Sequence, residues 1–330
     1  MIISKTPLRI SFAGGGTDLR SYYKNNKYGA VLNASINSYL YVSVKKQSIL
    51  FGGEYRLNYS ETEMVSDLNL IKNPIIRECI KFLDISEKLY ISTIADAPAS
   101  TGLGSSSSFS VGLLNALYKF KRENVSAGRL AEEAAYIECD ILKRPMGKQD
   151  HYAAAYGGIN YMRFYDDETV TVRPLNMTSK NLKKFSSSIA MFWTNITRSS
   201  ESVLKEQDEK NKSNENVLTN MKDQALELSN ILSETNFSIK KVGKLMNKGW
   251  GYKKTLASKV SNQSIDHWYS KALKSGAYGG KISGAGGGGF LTLISEPSKH
   301  SMLVDALEKE GLKKYHFGLD SSGTVVYEIK

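Results

Sequence analysis

Residues Pro98 to Ser108 read Pro-Ala-Ser-Thr-Gly-Leu-Gly-Ser-Ser-Ser-Ser, and they constrain the fold more than any other stretch. A strand-like run, Leu89 to Ala95, precedes them, and a helix-like run, Phe109 to Phe120, follows. A glycine- and serine-rich turn at a helix start has a clear physical use. Glycines let the backbone close on an anion, and the first helical N–H groups have no partner within the helix. The helix dipole adds about half a positive charge at that end, so such a turn binds phosphate. Serine hydroxyls there can bond phosphate oxygens or ligate magnesium. The plainer alternative is a turn that only caps its helix. The string is not a Walker A loop, because no Gly-x-x-x-x-Gly-Lys-Ser/Thr occurs in the chain. Nor is it a dinucleotide fingerprint, because Ser107 stands where the third glycine would be.

A chain of 330 residues with 41% hydrophobic and 23% charged side chains is long enough for two domains with ordinary cores. Cys79 and Cys139 have no paired spacing, and His151, His267, His300 and His316 form no zinc-like cluster. The N-terminus starts at once with strand-like sequence, so no signal peptide is expected. No apolar run approaches the roughly 20 residues of a membrane span. The expectation is a cytoplasmic protein without a membrane partner. The formal charge of +11 attracts anions. Nucleic acid is disfavoured, because no recognised binding pattern accompanies the charge. Phosphorylated small molecules fit better. Nothing in the chain specifies an oligomeric state.

The first half alternates strand and helix signals. Leu8, Ile10 and Phe12 alternate with Arg9 and Ser11, as in a half-buried strand, and Tyr39 to Val44 reads as another. Helical periodicity runs from Ile71 to Leu83 and from Ser126 to Leu142, with Ser126 as N-cap. A strand is expected over 159–164. From Pro174 to Pro297 there is no intervening proline, and that window predicts a strand over 188–193 and helices over 200–232, 239–257 and 264–275. Strands over 289–294 and 324–329 flank a helix over 299–310. The domain boundary is expected near residue 175, giving units 1–175 and 176–330.

Three further strings share the chain with the first. Arg9-Ile-Ser-Phe-Ala-Gly-Gly-Gly-Thr-Asp18 places a tight glycine turn after a strand. Lys281-Ile-Ser-Gly-Ala-Gly-Gly-Gly-Gly289 carries five glycines in six residues, an entropic cost that suits close approach of backbone to a ligand or another loop. Glu138 lies 12 residues before Asp150, which follows Gly147-Lys-Gln. The segment Trp193 to Ser202 carries Arg198 at an expected strand-to-helix junction, a second candidate anion site. Each has a plain alternative: a cap, a turn, a solvated carboxylate.

Together the four ordered strings resemble the signature motifs of the GHMP small-molecule kinases, the family of galactokinase, homoserine kinase and mevalonate kinase. They extend from residue 9 to residue 289. The resemblance implies a two-domain α+β fold, with an N-terminal ribosomal-S5-domain-2-like α/β domain that binds ATP and a C-terminal ferredoxin-like α+β domain. It implies ATP and Mg²⁺ as cofactors and a phosphorylated sugar as partner. Pro98, Gly102, Leu103, Gly104, Ser105, Ser106 and Ser107, with Gly284, Gly286 and Gly287, are then the ATP phosphate sites. Gly15, Gly16, Thr17 and Asp18 bind the sugar, Ser106 and Glu138 hold the metal, Asp150 is the base and Arg9 stabilises the transferred group. Arg198 is the candidate for the acceptor's own phosphate. Within the family, the start of the chain and Gly147-Lys-Gln-Asp150 look most like members that phosphorylate the anomeric oxygen of a heptose 7-phosphate. Fucose- or galactose-type sugar kinases, or a non-catalytic nucleotide sensor on the same fold, are the alternatives.

Overall fold

The computed structural model describes residues 1–197 and 201–329. The chain opens with β1 (Ile2–Ala13), the short α1 (Arg20–Tyr23) and the 19-residue β2 (Tyr28–Lys46). A hairpin, β3 (Tyr55–Asn58) and β4 (Thr62–Val65), leads to α2 (Pro74–Phe82), β5 (Leu89–Ala95), α3 (Ser105–Phe120) and α4 (Ala127–Ala135). A single π-helical turn, Tyr136–Ile141, extends α4. Next come α5 (Gln149–Tyr156), the hairpin β6 (Ile159–Tyr165) and β7 (Val170–Pro174), then α6 (Ser179–Ser187) and β8 (Ile189–Trp193). The remainder is α7 (Glu201–Glu209), α8 (Glu215–Ser233), α9 (Ile239–Thr255), α10 (Gln263–Lys274), β9 (Ala277–Ile282), β10 (Phe290–Ser295), α11 (His300–Glu308), β11 (Lys313–Tyr315) and β12 (Val325–Glu328).

The larger sheet has eight strands in the order β12-β1-β2-β5-β3-β4, with β6 also on β2 and β7 on β6. One strand, β2, serves three neighbours because β6 and β5 divide the edge that β1 leaves open. Pro7 pairs with Tyr39 and Leu8 with Ile36, so Asn37 and Ser38 have no partner on β1. Proline cannot donate to a ladder and sits at such breaks. The first half of β2 pairs with β6 and the second half with β5. The smaller sheet is antiparallel, in the order β11-β8-β10-β9.

Leu8, Ile10, Phe12, Leu32, Ala34 and Ile36 point from β1 and β2 into one core with Leu228 of α8, Met246 of α9 and Phe290 of β10. That core joins the two sheets. The opposite side of the larger sheet packs Val42, Val44, Leu89 and Ile91 against Ile76 of α2, Leu113 and Leu117 of α3 and Leu130 of α4. A third cluster lies beyond the smaller sheet, around Trp250, Leu291, Leu303 and Leu307. Arg9 and Ser11 differ from the half-buried strand expected: both are covered, at 5% and 4% exposure, because their side of β1 forms the floor of a cleft.

The last segment returns to the first sheet. The amides of Asn37 and Asp320 donate to Gly318 O and Ser35 O, and those of Gly158 and Thr324 donate to Asp320 O and Ala154 O, each at 2.9 Å. β12 then lies along Ile2 to Lys5 of β1.

Ser126 caps α4 as expected: its Oγ accepts from Arg129 N, and the helix runs on into the π turn. The helix expected over 200–232 is two, α7 and α8, divided at 210–214. The Lys210 to Asn214 stretch has no apolar residue to hold a helix against the core, and Asn211 instead donates to Ser21 Oγ. Leu228→Ala removes a fully buried side chain from the core between the sheets. Denaturant unfolding should show a loss of about 2–5 kcal/mol.

Candidate active site

The α3 N-terminus follows Gly104, whose φ of 79° is left-handed, and Ser105 to Ser108 form its first turn. The serine run therefore lies inside the helix rather than before it, with its free N–H groups turned toward the preceding loop. The Gly284–Gly289 loop packs against that loop. A Cβ on Gly102 would stand 2.6 Å from Ser283 O, and one on Gly284 would stand 2.5 Å from Gly102 Cα. Both have φ in the left-handed region. The glycine density of the second loop is thus explained by backbone meeting backbone. Gly287 donates to Val260 O at 2.7 Å, and Gly289 donates to Ile196 O at 2.8 Å. Buried Lys253 completes the arrangement from α9, donating to Ile282 O at 3.0 Å and to Gly284 O.

These loops border a cleft of about 430 Å³. On its floor Arg9 makes a two-pronged pair with Asp150: Nε donates to Oδ1 at 2.6 Å and Nη2 to Oδ2 at 2.5 Å. Its remaining nitrogen, Nη1, donates to Gly102 O at 2.6 Å. One guanidinium therefore ties β1, the glycine-serine loop and the first turn of α5. Asp18 lies beside this pair. Its Oδ1 accepts from Gly16 N and Gln149 Nε2, and its Oδ2 from Gln149 N, at 3.0–3.2 Å. Gly147 lets Asp18 in, since a Cβ there would fall 1.9 Å from Asp18 Oδ2. Burial, and then the Asp150 charge, raise the Asp18 pKa, while the amides of Gly16 and Gln149 oppose the shift.

Glu138 sits on the π turn, with no exposed side-chain surface. Its Oε1 accepts from Ser110 Oγ at 2.8 Å and faces His151 Nε2 at 3.1 Å. Its Oε2 accepts from Ser106 Oγ and from Arg144 Nη1, both at 2.6 Å. Burial alone would raise this carboxyl. The His151, Ser106 and Arg144 contacts outweigh burial and hold its pKa at about 2.

Of the residues singled out from sequence, Arg9, Gly15, Gly16, Asp18, Gly102, Gly104, Ser105, Ser106, Ser107, Asp150, Gly284 and Gly286 line this cleft. Others do not. Thr17 is buried behind the turn, donating to Gly14 O and Ala30 O. Leu103 belongs to the core between the sheets, Pro98 is exposed away from the cleft, and Gly287 turns toward Val260. Glu138 lies behind Ser106 and Arg144. Arg198 is outside the described residues. Sequence reading missed Arg144, Gln149, His151, Lys253 and Lys281. Only Lys281 carried a signal, a lysine three residues before the first glycine of a glycine-rich loop.

Residues 69–158 match the family described as GHMP kinases N terminal domain, and residues 230–313 match GHMP kinases C terminal. The chain is 32% identical over 342 residues to D-glycero-alpha-D-manno-heptose 7-phosphate kinase of Campylobacter jejuni, covering 99% of each. It is 24% identical to a galactokinase of Pyrococcus furiosus, over 95% of this chain and 94% of that one. Among solved structures it is similar to a D-glycero-D-manno-heptose 1-phosphate kinase from Bacteroides thetaiotaomicron, with a TM-score of 0.81 at 26% identity over all of both chains.

Lys281 lies on β9 opposite Thr292, is 6% exposed and lines the cleft with Arg9, Asp18 and Asp150. Burial pushes its ammonium down to about 8; the Arg9 charge adds to that, and Asp18 and Asp150 oppose it. The side chain is charged below that pH and loses its proton above it. A kcat/KM profile should therefore fall above about pH 8, and Lys281→Arg should move that limb upward, because a guanidinium stays protonated.

Proposed function

The chain belongs to the GHMP kinase family and has its two-domain fold, and from that premise we propose that it phosphorylates D-glycero-α-D-manno-heptose 7-phosphate. ATP is the donor and the anomeric oxygen the acceptor, giving the 1,7-bisphosphate for GDP-heptose and surface polysaccharide synthesis. The domains divide near residue 175 in this reading. The Campylobacter relative's name supports the substrate. The observation that carries the chemistry is the Arg9–Asp150 pair, fixed to the carbonyl of Gly102 at the start of the phosphate loop.

The loop amides from Gly102 to Ser106 hold the β- and γ-phosphates. Asp18 accepts sugar hydroxyls and sets the acceptor beside Asp150. The anomeric oxygen attacks the γ-phosphorus, the bond to the β-bridging oxygen breaks, and ADP leaves. Asp150 takes the proton of the attacking hydroxyl. An anomeric hydroxyl is more acidic than other sugar hydroxyls, so the demand on that base is modest. Arg9 and Lys281 add positive charge beside the transferred group. Arg198 is the sequence-derived candidate for the acceptor's 7-phosphate.

Ser106 Oγ and Glu138 Oε2 fit a magnesium ion. Both are hard oxygen donors, the carboxylate is ionised, and a cationic nitrogen already contacts the two. Among the described residues no group of three or more His, Cys, Asp or Glu could hold a metal, so the ion would take its other ligands from water and phosphates. When bound it would neutralise phosphate charge. Among the described residues no helix is long and apolar enough to cross a membrane.

A second reading rests on the structural neighbour, which is named as a 1-phosphate kinase. Phosphorus NMR of the product from ATP and heptose 7-phosphate separates the two. The proposal expects a new phosphate signal coupled to the anomeric proton, with the 7-phosphate unchanged. No such signal, with turnover of galactose, fucose or heptose 1-phosphate instead, would overturn it. Asp150→Asn should keep the fold and ATP binding while kcat falls by about 10²–10⁴. Turnover within a few-fold of wild type would remove Asp150 as the base.

A further inference from the structure

Arg144 has no place in the reaction described above, yet it occupies the position a metal ion would take. Its Nη1 donates to Glu138 Oε2 at 2.6 Å and to Ser106 Oγ at 2.9 Å. Ser110 and His151 hold the other carboxylate oxygen from behind. Oε2 and Ser106 Oγ are therefore the pair on the nucleotide side, and one guanidinium nitrogen bridges them. Arg144 and Ser106 line the cleft while Glu138 does not. The Arg144 side chain is 34% exposed and that of Glu138 is 0% exposed, so the carboxylate is reached past the arginine.

The arginine backbone is anchored. Its amide donates to Glu138 O at 3.0 Å, and its carbonyl accepts from Met146 N at 2.9 Å. Only the side chain is placed to leave. A buried carboxylate stripped of its partner is costly, so departure of the guanidinium requires another cation in its place. A freed guanidinium in turn suits phosphate oxygens.

We propose that Arg144 is a resident counter-charge at the Ser106–Glu138 pair, which keeps divalent cations out until nucleotide phosphates arrive to receive the guanidinium. The proposal rests on the reading of that pair as the metal site. It makes binding of metal and nucleotide mutually dependent. Metal alone must expel the guanidinium into water with no anion to receive it, whereas metal with a triphosphate exchanges partners with it.

The test is Mn²⁺ binding without nucleotide, read by electron paramagnetic resonance of the free ion, on wild type, Arg144→Met and Arg144→Lys. Methionine keeps the stem and removes the competitor, and Mn²⁺ should bind about 10- to 100-fold more tightly, as expected when a charge-assisted contact no longer competes. Lysine keeps the charge but loses the forked geometry, and should fall between. Mn²⁺ should also raise the melting temperature of Arg144→Met more than that of wild type, a response that loss of a merely structural arginine would not produce. Equal nucleotide-free affinity in wild type and whichever variants are folded overturns the proposal. Adding Glu138→Gln to Arg144→Met separates the two layers. If the gain survives that change, the metal does not sit at Glu138, and the reading of the site fails rather than the role of Arg144.

Discussion

The three contacts of the Arg9 guanidinium are the constraint on which the site depends. A buried ion pair gains little for stability in general, because removing both charges from water offsets their attraction. Here the pair has forked geometry, and a third bond runs to a backbone carbonyl. That makes it a positional device. The residues it joins are 141 apart in sequence for Asp150 and 93 apart for Gly102. The backbone also ties β1 to that loop, through Arg9 N on Leu103 O at 3.0 Å, but the guanidinium alone brings the Asp150 carboxylate and the Gly102 carbonyl to one group.

The rest of the architecture supports that reference from rigid elements. The core between the sheets fixes β1 against α8, α9 and β10, which places the Gly284–Gly289 loop against the loop of Gly102. Two glycine loops, one from each half of the chain, meet with no side chains between them. The anion-binding amides are thus held by contacts between backbones, which have few ways to relax.

Much of this was legible because the chemistry is written in contiguous strings. The glycine-serine loop, the Gly14 to Asp18 turn and Gly147 to Asp150 each mark a local backbone shape. What was not legible depends on pairing across distance. Lys281 becomes a cleft residue only through the register of β9 on β10 and the approach of β1. Arg144 follows Lys143 and reads as one more solvated cation, since nothing local reveals a buried carboxylate six residues before it. Strand β9 was hidden because Tyr278-Gly-Gly280 reads as a turn. A Cβ on Gly279 would lie 2.0 Å from Gly243 O of α9, so that glycine serves a helix packed directly on the strand. The two helices in the 200–232 window have similar composition, and only the missing apolar positions of 210–214 mark their division.

The return of residues 318–328 to the first sheet has a consequence for synthesis. Strands β1 and β2 emerge early, but the outer edge of β1 gains its partner only when β12 has been made. At ordinary elongation rates of about 5–20 residues per second, that edge waits on the order of tens of seconds. During the interval it offers unpaired amides and carbonyls to any neighbouring nascent chain. Lys5 lies within the waiting stretch, and a charged side chain on an open edge discourages such pairing. The edge of β1 (Ile2–Ala13) is therefore closed by β12 (Val325–Glu328), a strand far away in the chain.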